Sequence, residues 1–291
     1  MKQGLAATAL LLLGCAPGHA VETHDDLGNR VSLPRPAQRI VTLAPHATEL
    51  VLAVGAGSRL VGIAAGGSEP DALSSLPRIG GPGGLDREAL LVLQPDLVVA
   101  WQSGNRATDL DWITDTGIAV FRTEPASLND ISHALRGIGE LSGTRRQAEA
   151  AAQAFERALA APCRHLPVQP VYVTVWERPA MTVGGRHWIN AVLKLAGYRN
   201  VFDQLNRGVF HVAPEAAEGH AGLPHISLIR SFDLSSNDRL ADLLSRPGPR
   251  LAEAVQMLCA QRLSATTAGR QSKVQIDSDY RPLPRPPGSP L

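Results

Sequence analysis

The residues best placed for chemistry in this chain follow short aliphatic runs that are typical of buried strands. Pro45 and His46 come directly after one such run, and Trp101 follows the run DLVVA at 96–100. In an open parallel sheet, ligands bind beyond the carboxyl ends of the strands. We therefore expect all three residues at a binding site, where an indole would cover an apolar ligand surface. The alternatives are a place in the core for Trp101 and a local role at a helix start for His46.

Sequence motifs for catalysis are missing. The chain has no Gly-x-Ser-x-Gly turn, no Walker loop and no His-Glu-x-x-His pair. A partial dinucleotide-binding pattern at 55–57 lacks its third glycine. We therefore expect no enzymatic activity. A secreted enzyme that uses His187 with Asp203 or Glu177 is kept as an alternative, because a fold alone does not settle function.

The charge balance excludes nucleic acid as a partner. The 291 residues carry 28 Lys and Arg against 27 Asp and Glu, and Lys2 is the only charged residue among the first twenty, so the rest of the chain is neutral. A protein that binds a phosphate backbone needs several uncompensated cations. The length suits one large domain or two lobes.

The N-terminus predicts export. Residues 1–20 combine Lys2, an apolar stretch and the small residues Gly18 and Ala20 before Val21, which is typical of a signal peptide. The sequence Leu-Leu-Gly-Cys ending at Cys15 also resembles a lipobox, so a lipid anchor at Cys15 stays open. Either route places the protein outside the cytoplasm, and we expect the periplasm.

Alternating strands and amphipathic helices predict an α/β fold with parallel sheets. The clearest strand signals are the aliphatic runs 40–43, 60–63, 96–100, 118–122 and 171–176. We expect an N-terminal α/β lobe over 21–127 and one long connecting helix over 128–163, kinked or briefly broken at Gly143.

The rest of the chain is less regular. A C-terminal α/β lobe is predicted over 164–264, with an atypical stretch at 217–239. The polar, proline-rich tail 265–291 cannot bury enough apolar surface to order itself and is predicted to be disordered. Without the signal peptide, Cys163 and Cys259 remain; in an oxidising compartment they form one disulfide or stay two separate core residues.

Four segments together resemble the periplasmic cobalamin-binding proteins of vitamin-uptake ABC transporters: 39–57, 85–105, 173–200 and 242–259. The resemblance implies a class III periplasmic binding protein, in which two Rossmann-like lobes with parallel sheets are joined by one long rigid helix. It also implies a monomer that encloses a corrinoid between its lobes and delivers it to an inner-membrane permease. The corrinoid would be cargo, and no cofactor is expected.

The resemblance adds ligand-binding residues to Pro45 and His46. Trp101 matches a tryptophan that packs against cobalamin, Met181 and Phe210 replace two aromatic residues, and Asp242 matches an aspartate near the edge of the ligand. Fewer aromatic residues leave the cargo open. Haem, an iron siderophore or a bare metal ion are alternatives, the last through His46, His187 and His211.

Two acids match the carboxylates with which the family docks on its permease. They are Asp86, in Leu-Asp-Arg, and Glu215, in Ala-Pro-Glu, one from each lobe. Both lie at predicted helix starts, where a negative charge is favoured in any case. The resemblance also implies that Cys259 lacks its usual partner, because Ala196 occupies that position, so a bond between Cys163 and Cys259 would be a substitute.

Overall fold

The computed structural model describes residues 19–66, 70–81, 84–160, 163, 166–220, 222–229 and 236–267. Most of the predicted signal peptide, including Cys15, lies outside these ranges. So do residues 230–235 of the atypical stretch and the predicted tail from residue 268 onward.

The described chain begins with an antiparallel hairpin of β1 (Val21–His24) and β2 (Arg30–Leu33). Asp25 shapes its turn, because one carboxylate oxygen accepts hydrogen bonds from the backbone N–H of Leu27 at 3.0 Å and of Asn29 at 2.8 Å. This hairpin packs against the first lobe and was not predicted from the sequence pattern.

The first lobe contains a largely parallel sheet of aliphatic strands. They are β3 (Ile40–Thr42), β4 (Leu60–Ala64), β5 (Arg78–Gly81), β6 (Gly84–Leu85), β7 (Leu97–Trp101) and β8 (Ala119–Thr123). Their order is β6-β5-β4-β3-β7-β8, and β6 runs antiparallel to β5. Strands β3, β4, β7 and β8 confirm the predicted positions to within one residue. Residues 97–100 are buried, because helices cover both faces of such a sheet.

Helices α1 (Pro45–Ala53), α2 (Arg87–Leu93) and α3 (Ala107–Asp115) follow strands of this sheet. Short 3₁₀ turns occur at Gly57–Arg59 and Asp71–Leu73. Pro45 starts α1, where its missing N–H costs nothing. Helix α2 ends at Gln94, which has the positive φ of 44°.

The predicted break at Gly143 is confirmed, but the prediction that one helix continues over 128–163 is wrong, because two separate helices occupy the segment. Helix α4 (Leu128–Ser142) ends at Gly143, whose φ of 67° is the left-handed cap that glycine favours, and α5 (Arg145–Ala158) follows. The two helices pack side by side, and Arg136 of α4 donates hydrogen bonds to Glu149 and Glu156 of α5 at 2.7 and 2.8 Å. The chain therefore reverses at Gly143, and α5 leads into the second lobe.

The second lobe has several shorter elements. Its strands are β9 (Gln169–Thr174), β10 (Trp176–Glu177), β11 (Ala180–Val183), β12 (Tyr198–Asn200), β13 (Val209–His211) and β14 (His225–Ser227). Its helices are α6 (Ile189–Leu195), α7 (Pro214–Glu218), α8 (Ser236–Leu244) and α9 (Leu251–Thr267).

Two small sheets order these strands. One is parallel, with the order β12-β9-β14, and the other is antiparallel, with the order β10-β11-β13. The atypical stretch 217–239 supplies β14 and the start of α8, and α9 extends three residues into the predicted tail.

A continuous apolar core connects the lobes. It includes Leu135 of α4, Val173 of β9, Ile189 of α6 and Leu258 of α9. Helix α5 contacts both α1 and α9, so the lobes meet along it. Among the residues described, no helix is both long and apolar enough to cross a bilayer.

Candidate functional site

The first-lobe side of the candidate site is built where β3 and β7 end. Pro45 opens α1 directly after β3, and Trp101 is the last residue of β7. Both side chains are partly exposed. The structure therefore brings Trp101 to the carboxyl edge of the sheet, beside the start of α1, as the sequence predicts.

His46 lies against Trp101 in the protein interior. The two ring centroids are 5.2 Å apart at an interplanar angle of 87°, an edge-to-face contact. Only 1% of His46 is exposed. The predicted direct contact between His46 and a ligand is thus replaced by a contact that supports the indole, because the imidazole is buried.

The hydrogen bonds of His46 define its protonation. The Thr123 hydroxyl donates to the Ala100 carbonyl at 2.9 Å, so it accepts from His46 Nε2, also at 2.9 Å. Burial, aided by the positive charge of Arg246, lowers the pKa of His46 to about 3. The ring is therefore neutral at physiological pH, with its proton on Nε2.

Asn105 fixes the loop that follows Trp101. Its side-chain oxygen accepts from the Trp101 N–H at 2.8 Å, and its amide nitrogen donates to the Leu43 carbonyl at 2.8 Å. Asn105 thus ties the end of β7 to the end of β3. Gly104 lies under the indole, where any Cβ would overlap the ring. Neither residue was predicted as part of the site, although a glycine and an asparagine directly after a strand are typical of a tight turn.

A small cavity of about 120 Å³ adjoins this loop. Its lining includes Leu43, Gly81, Asn105, Arg106 and Asp109. Asp109 is buried and accepts hydrogen bonds from the Leu85 N–H at 3.2 Å and from Arg87 at 3.0 Å. The first-lobe edge therefore combines apolar, amide and charged groups.

The second-lobe residues Met181 and Phe210 lie on opposite faces of the antiparallel sheet. Met181 pairs with Trp176 and with His211, whereas Phe210 pairs with Thr182. Paired residues share a face and successive residues alternate. The expectation that Met181 and Phe210 jointly cover one ligand surface is therefore not met by this register.

Trp176 is the exposed aromatic residue on the Met181 face. It is 56% exposed, and its Nε1 donates to the Arg178 carbonyl at 2.9 Å. Phe210 instead contacts the ring of Phe202, with centroids 5.7 Å apart, and lies under the guanidinium of Arg207. Trp176 is thus a second exposed indole that the resemblance did not assign.

Asp242 belongs to a buried cluster of charges that joins the lobes. It forms ion pairs with Arg246 and, at 3.1 Å, with Arg250, while Glu49 of α1 lies 3.1 Å from Arg246 and 3.4 Å from Arg250. Burial raises the pKa of Glu49 despite both arginines. Burial also acts on Asp242, but the two arginines outweigh it and lower its pKa. Asp242, a predicted ligand-binding residue, is therefore ionised, and its charge is balanced by arginines of the protein itself.

The acids predicted to dock differ in their surroundings. Asp86 is exposed and caps α2, since its Oδ1 accepts from the Ala89 N–H at 2.9 Å. Glu215 is exposed at the second position of α7, and Glu88 holds the same position in α2. Glu88 and Glu215 thus hold the same position within their helices, one in each lobe.

Cys163 and Cys259 are joined as a disulfide, with their Cα atoms 5.7 Å apart. Both cysteines are buried. The bond attaches the segment before β9 to helix α9 and closes 96 residues of chain. It therefore cross-links the beginning of the second lobe to its last helix.

Two of the three histidines of the metal-ion alternative, His46 and His187, make hydrogen bonds within the protein. His187 Nδ1 accepts from the Ile189 N–H at 3.3 Å at the start of α6, and burial lowers the pKa of His187 to about 4. Within the described part of the chain, no group of three or more His, Cys, Asp or Glu side chains has a metal-holding arrangement.

Two α/β lobes joined through a helix, with aromatic side chains at strand ends, define a class III periplasmic binding protein. The sequence profile of the family described as periplasmic binding protein matches residues 40–256, so the chain belongs to that family.

Curated relatives and solved structures agree with this assignment. The vitamin B12-binding protein of Vibrio vulnificus strain CMCP6 is 26% identical over 246 residues, which is 77% of this chain and 89% of that protein. The protein of the same name from Pectobacterium carotovorum strain PC1 is 28% identical over 257 residues, or 81% and 91%.

Among solved structures, the periplasmic vitamin B12 binding protein BtuF of Vibrio cholerae superposes with a TM-score of 0.69 at 24% identity, covering 79% of this chain and 98% of that one. A periplasmic heme binding protein from Pseudomonas aeruginosa gives 0.65 at 24% identity, covering 77% and 92%. At these identities the two structures show the common fold.

Proposed function

We propose that this chain binds cobalamin or a related corrinoid between its lobes and delivers it to the permease of an ABC importer. The observation that carries the proposal is Trp101, a partly exposed indole at the carboxyl edge of the first-lobe sheet, braced by His46. A wide, largely apolar macrocycle matches such a surface. The curated relatives named as vitamin B12-binding proteins support the same cargo.

In this mechanism the protein encloses its cargo without a covalent step and without a resident cofactor. Trp101 covers one side of the macrocycle, and Trp176 with Met181 offers an apolar surface in the second lobe. Asn105 holds the first indole, so less conformational freedom is lost on binding. If these contacts give a nanomolar dissociation constant, the binding free energy is about −12 kcal/mol.

The proposed site of action is the periplasm, after removal of residues 1–20 or after lipidation of Cys15. The disulfide between Cys163 and Cys259 suits an oxidising compartment. The protein would act as a monomer and dock through one acid from each lobe. We assign Glu215 to the second lobe and Glu88, rather than Asp86, to the first, because Asp86 already caps its helix.

Haem is the second candidate cargo, favoured by the structural likeness to a heme binding protein. A haem site commonly supplies an axial ligand to the iron. His46 is unsuited to that role, because its imidazole is buried and its Nε2 proton is donated to Thr123. The corrinoid therefore remains the preferred cargo.

Titration of the exported protein with cyanocobalamin, hemin and a ferric hydroxamate siderophore tests the proposal. Calorimetry and the visible spectrum should show submicromolar, one-to-one binding of cyanocobalamin and much weaker binding of the other two. Tight binding of hemin alone would favour the second candidate and contradict the first.

A further inference from the structure

The loop that carries Trp101 (residues 101–105, here the Trp101 loop) is held by a charged residue outside it. The backbone N–H of Ser103 donates to Oε2 of Glu124 at 2.9 Å. The Gln102 N–H donates to the Thr123 carbonyl, also at 2.9 Å. The loop is thus attached to the chain directly after β8, in addition to its internal bonds through Asn105.

Glu124 is itself held by the N-terminal hairpin. Its backbone N–H donates to Oδ2 of Asp26 at 2.8 Å, and the Asp26 N–H donates to the Arg122 carbonyl at 3.1 Å. A continuous path of hydrogen bonds therefore runs from the turn of the β1–β2 hairpin, through Glu124, to Ser103.

Asp26 occupies this position although burial disfavours its charge. Burial raises the pKa of Asp26 to about 6, and the nearby carboxylates of Asp130 and Asp25 also raise it. The hydrogen bond from Glu124 and the nearby His133 lower this pKa by less. A carboxylate kept in such surroundings is costly unless its hydrogen bonds are well made. Oδ2 of Asp26 accepts the hydrogen bond from Glu124, whereas Oδ1 is buried without a partner among the described residues, so this bond offsets part of the cost.

We propose that Glu124, supported by Asp26, is a positioning residue that holds the Trp101 loop, and with it the indole, in the orientation that receives the ligand. This proposal takes its ligand, a corrinoid, from the proposed function and rests on it in that respect. It gives the N-terminal hairpin a part in the binding site, although the hairpin lies outside the family match at 40–256.

Cyanocobalamin is the probe in the first test. Glu124→Ala removes the acceptor for Ser103 and should weaken binding about tenfold, which equals about 1.4 kcal/mol. Glu124→Gln retains an acceptor oxygen and should restore most of the affinity. Glu22→Ala is the matched control, because Glu22 lies in the hairpin that carries Asp26, is exposed and pairs with Arg30 alone among the described residues.

A double-mutant cycle separates positioning from general stability. If Glu124 acts through the indole, Glu124→Ala should have almost no effect on affinity in a Trp101→Ala background. An equal loss in both backgrounds, or no loss in the wild-type background, would overturn the proposal.

A measurement without ligand keeps this test apart from the test of function. In protein labelled with 5-fluorotryptophan, the Trp101 signal is assigned by its disappearance in Trp101→Phe. Glu124→Ala should shift or broaden that signal, and Glu22→Ala should not. A wild-type protein that fails to bind cyanocobalamin contradicts the proposed function alone, whereas an unmoved Trp101 signal contradicts the positioning role.

Discussion

Glu49 Oε1 lies 3.1 Å from a guanidinium nitrogen of Arg246, and this ion pair joins α1 of the first lobe to the connection between α8 and α9 in the second. The exposed fractions of the two side chains are 14% and 9%. Arg246 also pairs with Asp242, so two carboxylates depend on it.

Arg246→Ala should lower the free energy of unfolding by about 3 kcal/mol, because it removes the more buried of the two arginines and leaves Arg250 alone to balance two largely buried carboxylates. Urea denaturation followed by circular dichroism measures the change. The control is Arg30→Ala, which breaks a pair whose side chains are 66% and 60% exposed and should cost under about 1 kcal/mol. Equal, small losses in both variants would show that the cross-lobe cluster adds little stability.

His46 should make the protein sensitive to acid. Its folded-state pKa of about 3 lies below its ordinary value of 6.5, so between these values the unfolded chain binds a proton that the folded protein excludes. The contribution of His46 to stability is therefore full above pH 6.5 and falls as the pH drops, by at most about 1.4 kcal/mol per unit.

His46→Gln keeps a donor for Thr123 and should flatten this dependence. The measurement is the free energy of unfolding at pH 7.5 and at pH 4.5 for both proteins. An unchanged slope in His46→Gln would contradict the buried, neutral assignment.

The disulfide should contribute strongly to stability. A closed loop of about 100 residues corresponds to about 4.7 kcal/mol in the chain-entropy treatment, and this bond closes 96 residues. Replacing Cys163 and Cys259 with alanine should therefore lower the urea midpoint markedly and abolish any further effect of dithiothreitol. A wild-type midpoint that does not respond to the reductant would contradict this expectation.

The proposed docking role of Glu88, rather than Asp86, can be tested by transport. Glu88→Gln combined with Glu215→Gln should leave cyanocobalamin affinity unchanged and reduce uptake at least tenfold in proteoliposomes that contain the cognate permease, since charge pairs govern orientation and encounter. Asp86→Asn retains the helix cap and should transport normally. Impaired transport by Asp86→Asn alone would return the role to Asp86.

Local sequence patterns were sufficient for four of the six strands of the first-lobe sheet, and β5 and β6 were not predicted. Each aliphatic run such as 96–100 is long enough for one strand and is bounded by turn residues, so its position follows from burial alone. The prediction for the segment 128–163 was wrong because its local pattern does not mark the boundary between two helices. Its apolar spacing continues across Gly143, and only the packing of α4 on α5 shows that the chain reverses there.

The candidate site was only partly predictable. Trp101 follows a clear strand, so its place at the sheet edge could be inferred. The faces of Met181 and Phe210 depend on strand register, and the ion pair between Arg246 and Glu49 joins residues that are far apart in the chain. Neither relationship leaves a periodic signal in the sequence.

The affinity of Trp101→Ala for cyanocobalamin tests the central claim most directly. Isothermal titration should show binding weakened at least tenfold. Trp112 lies on α3, where its ring packs under the guanidinium of Arg87, and the control variant Trp112→Ala should bind as the wild type does. Undiminished affinity in Trp101→Ala, with the protein folded and binding one equivalent, would contradict a corrinoid site at this indole.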